Sequence, residues 1–340
     1  MILRALRASL AYRTGKVRLS YPPLLVSFEP TNYCNLRCPM CPVGHHAKDP
    51  RVARGFMSRA VFDRLLPQLA EFKPVIAFHM GGESLLHPDF FEMGRRLRDA
   101  GMTVRLDSNA MLIGEEIATR LVAERPIDEL YLDMDGEDRA SYEAIRRRAS
   151  FDRFVRNTRR LLAIRAAHGG GPKIIVKNIR HYREGARAGF PDHYKAMLSA
   201  HPPDQYRFAW ADYWPGSHRG DVMETAPERR YAAPPAEGRP SRCELLWTRM
   251  AISWDGAALL CCLDLNREDV VARVTDVGIM GAWNSARMLD ARRAHVEGRQ
   301  DELALCGTCL QIRRPAPQAR RPAALLGTSR NAAQGGESCS

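Results

Sequence analysis

Three cysteines within eight residues constrain this chain more than any other feature. Cys34, Cys38 and Cys41 lie in the stretch Phe28 to Pro42, FEPTNYCNLRCPMCP in one-letter code, directly after a β-like run. The spacing CxxxCxxC supplies enough sulfur to hold three irons of a cubic 4Fe-4S cluster but not four, which leaves one iron open to another ligand. On spacing alone a zinc knuckle, or three reduced thiols without metal, remains open as well.

The rest of the chain must house such a site. Six short β-branched or apolar runs, Leu24–Glu29, Val75–Met80, Thr103–Asp107, Glu129–Asp133, Lys173–Lys177 and Tyr206–Trp210, alternate with helical patterns. That rhythm predicts βα units and a parallel sheet. Helices are expected over Ser58–Ala70, with Ser58 as N-cap, over Phe90–Ala100, closed by Gly101, and over Phe151–Ala167, where Phe154, Leu161, Leu162 and Ile164 share a face. In barrels of this kind the chemistry gathers at the C-terminal ends of the strands. At 340 residues the chain has room for one large domain and a smaller one.

Seven of the nine cysteines fall in clusters, CxxxCxxC, Cys261-Cys262 and Cys306-Gly-Thr-Cys309, with Cys243 and Cys339 apart. Those spacings suit metal ligands rather than a disulfide framework and imply a reducing, cytoplasmic setting. No apolar run reaches the roughly 18 residues needed to span a membrane. Residues 1–23, with five basic side chains and no acid up to Tyr21, lack the apolar core of a signal peptide. They predict an amphipathic helix whose Leu3, Leu6 and Leu10 form one face, packed on the barrel or resting against something acidic. The excess of 51 basic over 39 acidic residues lies largely at the two ends. A solvated arginine-rich surface accounts for it, so no nucleic-acid partner is expected. Residues 24–222 read as the barrel, 223–241 as a Pro- and Ala-rich linker, 242–312 as a cysteine-rich domain, and 313–340 as a disordered tail with too few apolar residues to pack.

Several loops after the strands carry chemistry-bearing residues. His79-Met80 is followed by Gly81-Gly82-Glu83, where two glycines let backbone approach a ligand and a carboxylate can accept hydrogen bonds from an ammonium group. The third run ends in Asp107-Ser108-Asn109-Ala110, the fourth in Asp133-Met134-Asp135-Gly136. Asp133 would place a carboxylate in the cavity, to orient a substrate hydroxyl or accept its proton, or would simply cap a strand end. The sixth run leads to Asp212, pointing at the same mouth.

With CxxxCxxC after the first strand and Gly-Gly-Glu one unit later, the chain resembles the radical S-adenosylmethionine (radical SAM) enzymes. The resemblance implies an α/β fold, a partial (βα)6 TIM barrel. In that family the open iron binds the amino and carboxylate groups of SAM and passes it one electron, so that a 5′-deoxyadenosyl radical forms and takes a hydrogen atom from the substrate. By resemblance Met40 lies against the adenine, and Gly81, Gly82 and Glu83 hold the methionine amino group. Ser108 and Asn109 reach the carboxylate or ribose, although Ala110 replaces the usual glycine. Arg146, the best match within Arg146-Arg147-Arg148, approaches the SAM carboxylate. A flavodoxin or ferredoxin is the usual electron donor.

The last cysteines add a second site. Four sulfurs from Cys243, a strand after a hairpin and a terminal CxxC can enclose a complete cluster or a zinc ion. The order Cys243, the Asp255-Gly256 turn, Cys261, Cys306 and Cys309 resembles the SPASM/twitch extension of radical SAM enzymes, and its spacing resembles 2-deoxy-scyllo-inosamine dehydrogenase-type twitch proteins. Within the resemblance the third ligand lies six residues after Asp255, which selects Cys261 over Cys262. It implies a second, auxiliary 4Fe-4S cluster, and the cysteines are too few for two.

A fully ligated auxiliary cluster can accept an electron next to the substrate. This favours dehydrogenation of a small carbohydrate-like or secondary-metabolite alcohol, with Asp133 or Asp212 as base. An epimerase would use a thiol to return hydrogen, for which Cys262 is spare. A ribosomal-peptide maturase is a third route; with only residues 1–23 before the first strand, no leader-binding domain is expected. Gly81-Gly82-Glu83 speaks against a non-catalytic redox or metal regulator.

Overall fold

A computed structural model of the chain describes residues 2–44, 49, 51–180, 188–210, 241–309 and 312. Six strands, β1 (Leu25–Phe28), β2 (Val75–Ala77), β3 (Thr103–Ser108), β4 (Glu129–Asp133), β5 (Lys173–Arg180) and β6 (Gln205–Trp210), pair in sequence order, each parallel to the next. Between them run α2 (Arg59–Phe72), α3 (Phe90–Asp99), α4 (Glu115–Ala123), α5 (Arg139–Ile145), α6 (Phe151–His168) and α7 (Asp192–Met197). This is the expected α/β architecture, the parallel sheet of a partial TIM barrel.

Local chemistry sets the boundaries. The Ser58 side chain accepts a hydrogen bond from the Val61 N–H and starts α2. At the end of α6, Gly169 takes the left-handed conformation at φ 70° and closes the helix. The period-2 alternation of strand side chains then divides the sheet into two faces. Val26, Phe28, Val104, Leu106, Leu130, Leu132, Ile174 and Val176 are fully buried toward the helices. On the other, concave face only Leu25, Val75 and Ala77 form a small apolar cluster, and above them the wall is polar.

The C-terminal part adds to this same sheet. β7 (Arg249–Ile252) pairs parallel to β1, and β8 (Ala257–Leu259) and β9 (Val270–Arg273) follow antiparallel. Among the described residues the sheet order is β6-β5-β4-β3-β2-β1-β7-β8-β9. The cysteine-rich segment therefore continues the barrel wall from its first strand.

Helix α1 (Ile2–Thr14) corrects an expectation. Its leucine face points outward: Leu3, Leu6 and Leu10 are 72%, 60% and 63% exposed, while Ala5, Ala8 and Ala11 are buried. The small alanine face lets the axis lie close against the helix Leu245–Thr248, where Tyr12 meets Trp247 edge-on at 5.6 Å. The segment after α1 is stitched to the C-terminal helices as well: Arg292 donates to the carbonyls of Leu246 and Val17, and Trp283 Nε1–H donates to the Tyr21 carbonyl at 2.9 Å. The N-terminus thus docks mainly on the C-terminal part. No helix among the described residues is long and apolar enough to cross a membrane. The expected tail 313–340 and all of the expected linker 223–241 except Ser241 lie outside the described residues.

Candidate active site and auxiliary cysteine site

Leaving β1, the chain turns through Cys34, Cys38 and Cys41. The Cys41 N–H donates to the Cys38 carbonyl and the Gly44 N–H to the Cys41 carbonyl, both at 3.0 Å, while the Leu36 N–H donates to Cys34 Sγ at 3.4 Å. Burial pushes the Cys34 and Cys38 thiols up to about 12 and raises Cys41 as well; Cys34 is raised further by the charges of Glu83, Cys41 and Cys38. Three buried sulfurs held this close resist becoming thiolates together. A cationic iron core would reverse that balance by binding the thiolate forms, so the residues fit such a group. Among the described residues no three His, Cys, Asp or Glu side chains converge tightly enough to chelate a single ion.

The Gly81-Gly82-Glu83 loop lies directly on this turn. Gly82 has φ 76°, and a Cβ there would stand 2.5 Å from the Thr31 carbonyl oxygen and 2.6 Å from that of Tyr33. Only glycine fits. The Glu83 N–H donates to the Tyr33 carbonyl at 2.8 Å. Buried Glu83 accepts from Ser108 Oγ at 3.1 Å and from the Asn109 N–H at 3.0 Å, and burial pushes its pKa up to about 7. Asn109 Nδ2 donates to Asn35 Oδ1 at 2.9 Å. Ser108, Asn109, Gly81, Gly82 and Glu83 are thus drawn together with the cysteine loop. Met40 sits half-buried beside Cys41 on that loop. Ala110 still takes the left-handed turn, at φ 63°.

Deeper in the concave wall is a charged network. Arg146 holds Asp135 at 2.6 Å and Asp133 at 2.9 Å and hydrogen-bonds Cys38. Lys177 Nζ holds Asp107 at 2.5 Å and Asp133 at 3.0 Å. His79 Nδ1 accepts the Asp107 N–H at 3.1 Å, and burial lowers its pKa. Arg146, expected from resemblance to approach the SAM carboxylate, is engaged by two aspartates of its own chain. Asp133 lies in the wall between two cations, while Asp212 lies outside the described residues. Lys177, like Asp212, ends a run expected to point to this mouth, but neither it nor His79 was given a role from sequence. Only their places at the ends of β5 and β2 could have marked them.

The second cysteine set gathers beyond β8. Cys243 precedes the helix Leu245–Thr248, Cys261 and Cys262 follow β8, and Cys306 and Cys309 close a short turn in which the Cys309 N–H donates to the Cys306 carbonyl at 3.0 Å. Burial pushes Cys243 up to about 12, with the charges of Cys309 and Cys262 adding to it. Cys306 is raised by burial and then by Cys243 and Cys309. These mutually opposing buried sulfurs again fit a metal cluster. Cys262 differs from the others. Its Sγ accepts from Arg249 Nη1 at 3.5 Å and is hydrogen-bonded by Cys261 and Ser27. Ser27 and Arg249 both belong to the concave face, because β7 pairs with β1 in the register Leu25↔Arg249 and Ser27↔Ala251.

One residue unites the two sites. Glu29, at the end of β1, is buried; it accepts the Gly81 N–H at 3.1 Å and the Trp254 N–H at 3.3 Å, and burial pushes its pKa up to about 7.

Comparison with known proteins agrees with this division. A radical SAM superfamily profile matches residues 28–167, and a profile described as the SPASM iron-sulfur cluster-binding domain matches residues 243–310. Among curated proteins, mycofactocin maturase MftC of Mycobacterium tuberculosis is 29% identical over 200 residues, covering 57% of this chain and 49% of the relative. An AdoMet-dependent heme synthase of Methanosarcina barkeri is 29% identical over 130 residues, 38% of this chain and 36% of that one. The chain thus spans about half or less of the length of these relatives. Among solved structures, BtrN in complex with AdoMet and 2-DOIA superposes with a TM-score of 0.54 at 16% identity over 86% of this chain and 94% of that one. Streptococcus suis SuiB bound to precursor peptide SuiA gives 0.55 at 14% identity over 91% and 74%. At those identities the likeness is one of fold.

Proposed function

We propose that this chain, which matches the radical SAM and SPASM profiles and whose cofactors are SAM, a 4Fe-4S cluster and an auxiliary iron-sulfur cluster, dehydrogenates a small, polar alcohol. The observation that carries this reading is Cys262, which ties the auxiliary cysteine set to Ser27 and Arg249 on the wall of the substrate cavity. An electron leaving the substrate would have a short path to that set.

In this reading Cys34, Cys38 and Cys41 hold three irons of the SAM cluster, and Cys243, Cys261, Cys306 and Cys309 hold the auxiliary one. When bound, the first cluster and SAM supply a one-electron cleavage that ends in removal of a hydrogen atom from the substrate, with 5′-deoxyadenosine as product. Gly81 and Gly82 let backbone approach the methionine end of SAM and Glu83 accepts its ammonium. Ser108 and Asn109 orient Glu83 and the ribose, and Met40 covers the adenine. Arg146 steadies Asp133 and Asp135 beside Cys38 and would be the candidate partner of the SAM carboxylate. Asp133, flanked by Lys177 and Arg146, accepts the hydroxyl hydrogen of the substrate and then its proton; Asp212 is a second candidate for that role. The polar concave face around Arg105, Glu129 and Tyr131 suits a hydroxylated substrate. A flavodoxin or ferredoxin would supply the first electron.

Two other readings have support. Cys262 facing the cavity would let a thiol return hydrogen, as an epimerase requires, and the 29% identity to mycofactocin maturase favours a peptide substrate. Anaerobic enzyme with SAM and dithionite decides among them on candidate polyols and peptides. A product lighter by two hydrogens, with substrate deuterium in 5′-deoxyadenosine, supports the dehydrogenase. A product of unchanged mass carrying solvent hydrogen supports the epimerase, and turnover of peptides alone supports the maturase.

A further inference from the structure

Arg249 stands between the two halves of the site. Its register with Leu25 puts the side chain on the concave wall, and its Nη1 lies 3.5 Å from Cys262 Sγ. Burial works against its charge, yet the sulfurs of Cys262, Cys261 and Cys243 hold its pKa above the ordinary arginine value. On the cavity side its charge reaches His79 and helps lower that imidazole. No described carboxylate forms an ion pair with it, so its charge is answered mainly by sulfur.

We propose that Arg249 raises the reduction potential of the auxiliary cluster and so makes it able to take the substrate's second electron. One-electron reduction adds a negative charge to the cluster, and a buried cation 3.5 Å from Cys262 Sγ, whose charge also acts on Cys261 and Cys243, stabilises the reduced form more than the oxidised one. The inference rests on the dehydrogenase reading. There the hydroxyl-bearing carbon, having lost its hydrogen atom to SAM chemistry, releases one electron to the auxiliary cluster and its hydroxyl proton to Asp133, which leaves a carbonyl. A one-electron carrier protein later removes the extra electron. Arg249 acts through the cluster and is a tuning residue, not a catalytic one. Its action does not depend on which of Cys261 and Cys262 binds iron, because its charge acts on both.

The test is an anaerobic redox titration of the full chain followed by electron paramagnetic resonance, in which added SAM perturbs the signal of the first cluster and so identifies the auxiliary one. Arg249→Gln is expected to keep its iron and lower the auxiliary midpoint by at least 59 mV, a tenfold change in a one-electron equilibrium constant. Arg249→Lys, which keeps the charge, is expected to stay near wild type. Equal midpoints for wild type and Arg249→Gln overturn the proposal, as does an equal shift in both variants. If Arg249→Gln loses iron, Arg249→Lys must retain it at the wild-type potential; loss in both makes the residue structural and overturns the proposal. Failure of the dehydrogenase reading looks different: the Arg249→Gln midpoint falls, while the wild-type auxiliary cluster remains oxidised through a single turnover.

Discussion

Replacing Gly82 with alanine should separate the Gly81-Gly82-Glu83 loop from the cysteine loop. Two costs add. The backbone sits at φ 76°, where a residue with Cβ costs about 1–2 kcal/mol. The new methyl would stand 2.5 Å from the Thr31 oxygen and 2.6 Å from the Tyr33 oxygen. These are backbone atoms of the segment carrying Cys34, and they cannot swing away as a flexible side chain would. Relieving such overlap typically costs about 1–3 kcal/mol. The sum, about 2–5 kcal/mol, corresponds to a fall in Tm of roughly 4–20 °C by the scaling for chains somewhat shorter than this one. The loss should be accompanied by weakened SAM binding, because the Glu83 N–H bond to Tyr33 sets the loop's height. Gly170→Ala is the control: nothing lies within 4 Å of its Cβ position and its φ is not positive, so it should be neutral or gain about 0.4–1 kcal/mol. Differential scanning calorimetry with SAM titration measures both. A Gly82→Ala variant that melts within a degree of wild type and binds SAM normally would refute the close approach of the two loops.

Three further outcomes are expected. Changing Cys34, Cys38 and Cys41 together to Ala should abolish 5′-deoxyadenosine formation while leaving the iron of the other set, measured by metal analysis; loss of all iron would show that the sets are not independent. Cys262→Ala should leave iron content unaltered, whereas a drop would transfer the ligand role from Cys261. Glu29 has a folded pKa pushed from 4.5 to about 7 by burial. The native state therefore binds its proton more tightly than the unfolded chain, and the stability this gives is full below pH 4.5 and lost as pH rises through 7. Glu29→Gln should flatten that part of the pH dependence of denaturant unfolding, and an unchanged slope between pH 5 and 8 would count against burial of an ionisable Glu29.

Much of the architecture was legible because its signals are local. β-branched runs alternating with amphipathic helices specify βα units, Ser58 and Gly101 mark helix ends through their own side chain or its absence, and CxxxCxxC needs no tertiary knowledge to read. The misreading of α1 is also local in origin. Periodicity grouped Leu3, Leu6 and Leu10 on one face, but an alanine face packs more closely on the helix Leu245–Thr248, and nothing near Met1 announces that neighbour. Arg146 could be named but not oriented, since its partners Asp133 and Asp135 compete with a ligand for the same guanidinium. Lys177, whose run was expected to reach the mouth, His79 and Arg249 were left without a role for a different reason. Each is an ordinary residue in its own stretch and becomes part of a site only through strand register, which places Lys177 beside Asp133 and Arg249 beside Leu25.

The position of β1 explains why the two cysteine sets belong to one machine. It is the sole strand hydrogen-bonded to both β2 and β7 among the described residues, so the loops following β1, β2 and β7 leave the sheet side by side. Those loops carry Cys34, Gly81 and Trp254. Glu29 accepts the N–H groups of Gly81 and Trp254 with its two oxygens, and Trp254 in turn packs so closely on Gly55 that a Cβ there would meet its ring at 2.4 Å. A displacement of the Gly81 loop must therefore move either this carboxylate or the turn that leads into β8 and Cys261. Leaving one of the two buried N–H groups without an acceptor would cost about 1–3 kcal/mol, enough to make independent movement of the two sites rare. The register of a single short strand thus holds the distance between the two cysteine sets.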